Sequence, residues 1–512
     1  MADLGALIVH LPQRLSLHSA HLLMALSAQL PTTVIAARTG IDEADAEVLT
    51  SLSRLGIDVA SAPAASAALP VNTGRTTILS ASDADEEVRA AVRAVVDTVR
   101  AGTRLDRIAV LHASPEPYAR LAHDQLHAAG IATNGAAVLP LAARMAGRTL
   151  LELLALPERS FRRQDVFAWL SSGPVLVDGR WAPTTAWERL SREAAVVAGR
   201  DDWDVHLAQL AAHLDRRAEK ADADDEAPEW AGDEARTLAG RARELRGFVL
   251  RVIDDLVAAA AAPRRWSEHA AWAQRWLDDL LGSTTRRDAW PADERKAAER
   301  VEVALDRLGA LDAVEGPVSF EVFGHTLSVE LEADLGRVGR FGDGVLVGSV
   351  EMGIGVPLEL VVVLGLAEGS FPSTVRDDSL LPDRERAACG TELGLRAQRV
   401  ERQHRHLLGA LAGADRQVLC VPRGDLRRSA DRVPSRWVLD LAMALADTEE
   451  RWWGADLLAA SAPWLHHVAS FDAGLRHMPV PATAQEHRLR TLLATGGSLA
   501  ANEDPRTAAG AQ

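Results

Sequence analysis

Arginine is the residue type with the most chemistry to offer in this chain. Thirteen arginines lie between Arg376 and Arg436. A run of guanidinium groups binds phosphate oxygens even when the total charge is negative. Arg402 and Arg405 fall in Glu401-Arg402-Gln403-His404-Arg405-His406-Leu407-Leu408, which reads as a helix. Arg423, Arg427, Arg428 and Arg436 follow the next apolar run and are candidates for contact with a DNA backbone. The plainer reading is a solvated face in a chain rich in alanine and arginine. A phosphate-cradling loop needs GxxxxGK[ST]. The nearest match, Asn72-Thr73-Gly74-Arg75-Thr76-Thr77, lacks the first glycine, carries arginine for lysine, and reads as a loop entering a strand. Neither HExxH nor GxSxG occurs, so the sequence offers no zinc-peptidase helix and no serine elbow. His404 and His406 do not share a helix face at their spacing. No metal site is assigned, and the catalytic residues stay unknown.

The elements that must position these residues alternate between strand and helix. Leu7-Ile8-Val9 and Val34-Ile35-Ala36 read as short strands, with helical apolar spacing from Leu15 to Leu30 between them. A helix follows from Asp42 to Leu55. Thr77 to Ser80 reads as a strand. Asp83, with Glu86 three residues on, has the pattern of a capping box before a helix through Val88 to Val99. Leu105 to Leu111 is the next strand, and Ser114-Pro115 opens a helix that stops at Gly130. Residues 141–330 are mostly helical and hold nine of the thirteen tryptophans. Stacking on nucleic-acid bases is one reading of them. Packing between helices is the stronger one, since Trp272 and Trp276 recur at helical spacing. The apolar run Leu360 to Leu364 reads as a buried strand entering a tight glycine turn. Gln417 to Val421 is a further strand, and Pro434 fits the first turn of a helix. From Ala446 the chain is alanine-rich and helical, thinning into a polar tail, Glu503 to Gln512, expected to be disordered.

Composition sets outer bounds. A chain of 512 residues, 47% hydrophobic and 25% charged, is that of a globular protein with about three domains. No apolar run approaches the ~20 residues of a membrane helix. The N-terminal segment has neither a basic region nor a small-residue cleavage site. The two cysteines, Cys389 and Cys420, form no CxxC pattern and suit a reducing cytoplasm. A net charge of −16 argues against a protein that coats DNA generally.

The stretch Gly365-Leu366-Ala367-Glu368-Gly369-Ser370-Phe371-Pro372 resembles the fifth motif region of superfamily 1 helicases of the UvrD, RecB and AddB type. The segment from Glu87 to Ile131 resembles the opening of the second motor domain in the RecB/AddB group. Ser379-Leu380-Leu381-Pro382-Asp383 and Pro434-Ser435-Arg436 resemble further landmarks of that group. The resemblance implies an α/β fold with a P-loop-helicase-like parallel sheet, the second motor domain, and a large mainly helical insertion. The implied divisions are a remnant of the first motor domain at 1–65, the start of the second at 76–140, the insertion at 141–335, the rest of the second motor at 340–445, and a helical segment with a disordered tail at 446–512.

The same resemblance exposes departures from the family pattern. The lysine position before the fifth-motif strand falls on Ile354, the glycine on Gly355 and the nucleotide-contacting glutamate on Pro357. Glu359, two residues on and on the same side of a strand, restores the carboxylate if the register slips. The fourth-motif arginine is replaced by His112 and Ala113, and the sixth-motif arginine falls in Ala412-Gly413-Ala414. Arg402 and Arg405 are the candidates to substitute for it. Arginine fingers in other NTPases contribute roughly 10³–10⁵ in rate, which glycine cannot supply. Relatives end in a PD-(D/E)XK nuclease domain. Glu294-Arg295-Lys296 matches its ExK by letter only, within the charged helical run Asp293 to Arg300. The resemblance therefore implies a partial chain, from truncation or gene splitting, of a bacterial helicase–nuclease subunit for double-strand-break repair and recombination, lacking the ATP loop and the nuclease domain. Its expected role is a catalytically degenerate scaffold that guides DNA, single-stranded or at a duplex end, beside an active helicase–nuclease partner. No cofactor is expected in this chain, with ATP and Mg implied for the full complex, and no membrane partner is expected. Two alternatives stay open: an active ATP-dependent helicase half completed by another chain, and an unrelated α/β enzyme.

Overall fold

A computed structural model of the chain describes residues 5–58, 69–136, 138–224, 228, 230–333, 336–340, 342–374, 376–390, 392–425 and 430–494. It divides into two compact units, one of residues 1–136 with 339–512 and the other of residues 137–338. The helical insertion expected from the sequence spans 141–335.

The first unit is α/β. It opens with β1 (Leu7–His10), α1 (Leu17–Ser27), β2 (Thr32–Ile35) and α2 (Asp42–Arg54). β1 and β2 form a parallel pair of their own. The main sheet is built from β3 (Thr76–Ala81), β4 (Ile108–His112), β5 (Thr133–Ala136), β6 (Val345–Ser349), β7 (Leu358–Leu364), β8 (Ala414–Pro422) and β9 (Leu465–His467). These seven strands are all parallel, in the order β9-β3-β8-β7-β4-β6-β5. β7 is central, with Val361 opposite Ala109 on one side and Gln417 on the other. Leu360 to Leu364 are each 0% exposed, as a parallel strand covered on both faces requires. Alternate side chains serve two layers. Val361 and Val363 pack with Leu407 and Leu411 of α5 (Arg396–Ala412) and with Val438 and Leu441 of α6 (Arg436–Leu445). Leu360, Val362 and Leu364 pack with Val88, Val92 and Tyr118. Those three residues come from α3 (Ala84–Arg100) and α4 (Tyr118–Ala128).

The second unit is mainly helical, with a short hairpin of Leu176–Val177 and Arg180–Trp181. Trp169, Trp187, Trp203, Trp266, Trp272 and Trp276 are buried in it, whereas Trp181 and Trp230 are exposed. The indole N–H groups of Trp272 and Trp276 both donate to Asp255 Oδ2 at 2.6 Å. A buried indole usually finds such a partner, and these two rings serve the core. Glu294 and Lys296 lie on the Ala292–Gly309 helix. Glu294 accepts from the Met145 amide at 2.9 Å and Lys296 donates to the Arg337 carbonyl at 2.7 Å.

Several local expectations need correction. Asp83 does cap α3, accepting from the Asp85 and Glu86 amides at 2.9 and 3.0 Å. The Glu86 side chain does not complete a capping box. It turns to Arg93, because a buried guanidinium outbids a backbone amide for a carboxylate. Leu105–Arg107 forms a 3₁₀ turn, and the strand starts at Ile108. Ser435 is the N-cap of α6, so Pro434 precedes the helix. After Ala446 the chain is not only helical, since β9 adds a strand at the edge of the sheet beside β3. The expected disordered tail, 503–512, lies outside the described residues. Among the described residues no helix is long and apolar enough to cross a membrane.

Candidate functional site

The glycine turn after β7 is held from three directions. Gly365 has φ +80°, a conformation natural to glycine. Its amide donates to Glu87 Oε1 at 2.6 Å, and the Tyr118 hydroxyl donates to Glu87 Oε2 at 2.6 Å. The Leu366 amide donates to the Cys420 carbonyl and the Glu368 amide to the Val433 carbonyl. Glu87 is fully buried. Burial pushes its carboxyl up to about 8, against the lowering effect of the Gly365 and Tyr118 hydrogen bonds. Beside the turn, at the carboxyl ends of β3 and β8, is a cavity of about 340 Å³ lined by Asp83, Asp85, Glu116, Asp425 and Arg432, among others. Arg432 is spent on Asp425 at 2.7 Å. Sheet carboxyl ends are where α/β folds hold ligands, yet the excess of carboxylates here repels phosphate.

A second cleft lies at the opposite, amino ends of the strands, where loops lead into β3, β7 and β8. Its cavity of about 310 Å³ is lined by Ile354, Gly355, Ala412 and Gly413 together with Gln13, Arg38, Thr39 and Arg405. Most of the remaining lining is apolar, from Leu11, Ala37, Ile41, Leu69, Pro70 and Leu408. Ile354, Gly355, Ala412 and Gly413, positions that the family resemblance assigns to two of its motifs, thus meet in this cleft, whereas Pro357, His112 and Ala113 do not line it.

The two helix arginines are committed elsewhere. Arg405 is buried; it pairs with Asp45, donates from Nε to Gln13 Oε1 at 2.9 Å and from Nη2 to the Ala37 carbonyl at 2.6 Å. Burial lowers the affinity of its guanidinium for the proton, and Asp45 opposes that shift. Asp45 is 0% exposed and accepts further hydrogen bonds from the Thr39 amide, the Thr39 hydroxyl and the Gly40 amide. Arg402 makes a two-pronged pair with Glu47, and that pairing raises the Arg402 pKa. Both carboxylates come from α2, so the pairs tie α5 to the N-terminal segment. Glu359 is not part of this arrangement. Its Oε2 accepts from the Thr103 hydroxyl at 2.9 Å, and it does not line the cleft.

Arg423 donates to the Ser80 carbonyl and hydroxyl and to the Val468 and Ala469 carbonyls, between 2.8 and 3.1 Å. It latches the segment after β9 to β3 and has little capacity left for a phosphate. Arg436 is exposed and paired with Glu368. Arg427 and Arg428 lie outside the described residues. Among the described residues no cluster of histidine, cysteine, aspartate and glutamate has the arrangement to hold a metal ion.

Asp45, Glu47 and Gln13 escape a sequence reading because the arginines they bind stand more than 350 residues away along the chain. Glu87 carries one usable signal, an acid beside Val88 on a helix whose apolar face is buried. The cleft does not fit a magnesium nucleoside triphosphate. Among the described residues that line it there is no lysine and no phosphate loop, and one of the two arginines is neutralised. No protein-family model matches the chain, and no curated protein matches it either.

Proposed function

We propose that this chain is a helicase-like subunit, or part of one, of a bacterial AddB/RecB-type helicase–nuclease complex, and that it guides DNA without hydrolysing ATP. One observation carries the catalytic half of this reading. Arg402 and Arg405, the only arginines on α5 that the family resemblance offers as γ-phosphate sensors, are bound by Glu47 and Asp45. An arginine with its fork filled by carboxylate oxygens cannot stabilise charge on a transferring phosphoryl group. The parallel sheet, the glycine turn at the end of its central strand and the helical unit between β5 and β6 support the helicase-like half.

The full chain is expected to bind forked DNA with an affinity that falls steeply with salt, as phosphate contacts release counterions. Arg427→Ala with Arg428→Ala should weaken binding and shallow the salt slope, whereas Arg423→Ala should lower stability instead. DNA should stimulate no ATP turnover. Salt-independent DNA affinity sinks the guiding role. DNA-stimulated ATPase that is lost on changing Arg402 and Arg405 to alanine favours an active helicase half.

A further inference from the structure

We propose that the cleft at the start of β7 and β8 binds a small apolar monoanion, a hydrocarbon group ending in one carboxylate, with Arg38 as its anchor. The inference goes beyond the DNA role and stands on the cleft alone. Arg38 lines the cavity, and its buried Nε has no hydrogen-bond partner among the described residues. Its nearest carboxylate oxygen, on Asp45, is 3.9 Å away. That distance is too long for a hydrogen bond, and Asp45 already accepts four others. The Arg38 side chain is 25% exposed as a whole, but a desolvated Nε donor without an acceptor is costly, so an acceptor arriving there is worth more than at the surface.

Charge counting selects a monoanion. Arg38 and Arg405 against Asp45 leave one positive charge in the wall. A nucleoside triphosphate brings several negative charges to a wall that balances one. The lining selects the rest of the ligand, since most of the other residues in the wall are apolar, and transfer of hydrocarbon onto them is favourable. Two coplanar carboxylate oxygens suit the guanidinium fork. The volume of about 310 Å³ lies at the small end of ligand sites, which span ~300–1,000 Å³.

The test is calorimetry and thermal denaturation of the full chain with octanoate, octan-1-ol, inorganic phosphate and magnesium ATP as probes. Octanoate is expected to saturate one site and raise the melting temperature, with octan-1-ol and phosphate weaker by about tenfold or more. Arg38→Met should weaken octanoate by a similar factor and leave octan-1-ol unchanged. Ala412→Leu, at an exposed position on the cavity wall, should abolish octanoate binding without touching the arginine. If Arg38→Met fails to fold, the Ala412→Leu result decides. No octanoate binding, or binding indifferent to the informative substitution, overturns the proposal and leaves the degenerate-motor reading standing. Tighter binding of ATP than of octanoate overturns both.

Discussion

Glu87 keeps its proton at a pH where most carboxyl groups have lost theirs, because burial pushes it up to about 8. The sign of its effect on stability follows. A carboxyl whose folded pKa lies above its unfolded value favours the fold fully below about 4.5, and that contribution is lost as pH rises toward about 8. His112 works in the opposite sense. Burial pulls it down to about 4, so it adds stability as pH rises from about 4 to 6.5 and is level above that. Between pH 6.5 and 8 the slope from Glu87 alone is therefore a loss of about 1.4 kcal/mol per pH unit. Glu87→Gln, whose amide can accept from Gly365 and donate to Tyr118, should flatten that interval in urea denaturation at stepped pH. Equal slopes for the two proteins would remove the assignment. Residues of this kind are hard to read from sequence. Glu86 and Glu87 are neighbours in the first turn of α3, yet one answers Arg93 and the other the turn after β7.

The turn after β7 shows how an element is specified twice, locally by glycine and globally by what stands next to it. A Cβ added at Gly365 falls 2.7 Å from Tyr118 Cε2, and that ring cannot yield because its hydroxyl is held by Glu87. At Gly369, also in the left-handed region at φ +82°, the nearest atom is Thr374 Oγ1 at 3.5 Å. Gly369→Ala should cost the conformational penalty alone, about 1–2 kcal/mol, and Gly365→Ala distinctly more. Chemical denaturation of the two variants side by side decides it, and equal losses would show that the ring moves aside. The strands were legible where apolar residues run uninterrupted, as in Leu360 to Leu364. Their ends were less so, as at the 3₁₀ turn before Ile108, because one residue of apolar character serves a turn or a strand equally well.

The helical unit carries a core of its own. The buried cluster from Leu141 to Leu331, with Trp169, Trp203, Trp266 and Phe323 at its heart, draws every member from within that unit. A separately expressed fragment of residues 138–338 is therefore expected to be helical, to melt cooperatively and to show the near-ultraviolet circular dichroism of fixed indoles. A broad melt without that signal would mean that the core needs the rest of the chain.

What the sequence by itself determined is what a window of a dozen residues can encode. The α/β class of the first unit, the tryptophan packing of the second and the glycine turn after β7 follow from apolar period and turn chemistry. The tertiary structure alone decided the fate of the charges. Arg405 reads as a phosphate sensor until the chain brings Asp45 to it, Arg423 reads as a DNA contact until Ser80 and Val468 fill its fork, and β9 is a strand because β3 offers an open edge. Ion pairs and edge pairing depend on which distant segments meet, and local periodicity carries no record of that meeting.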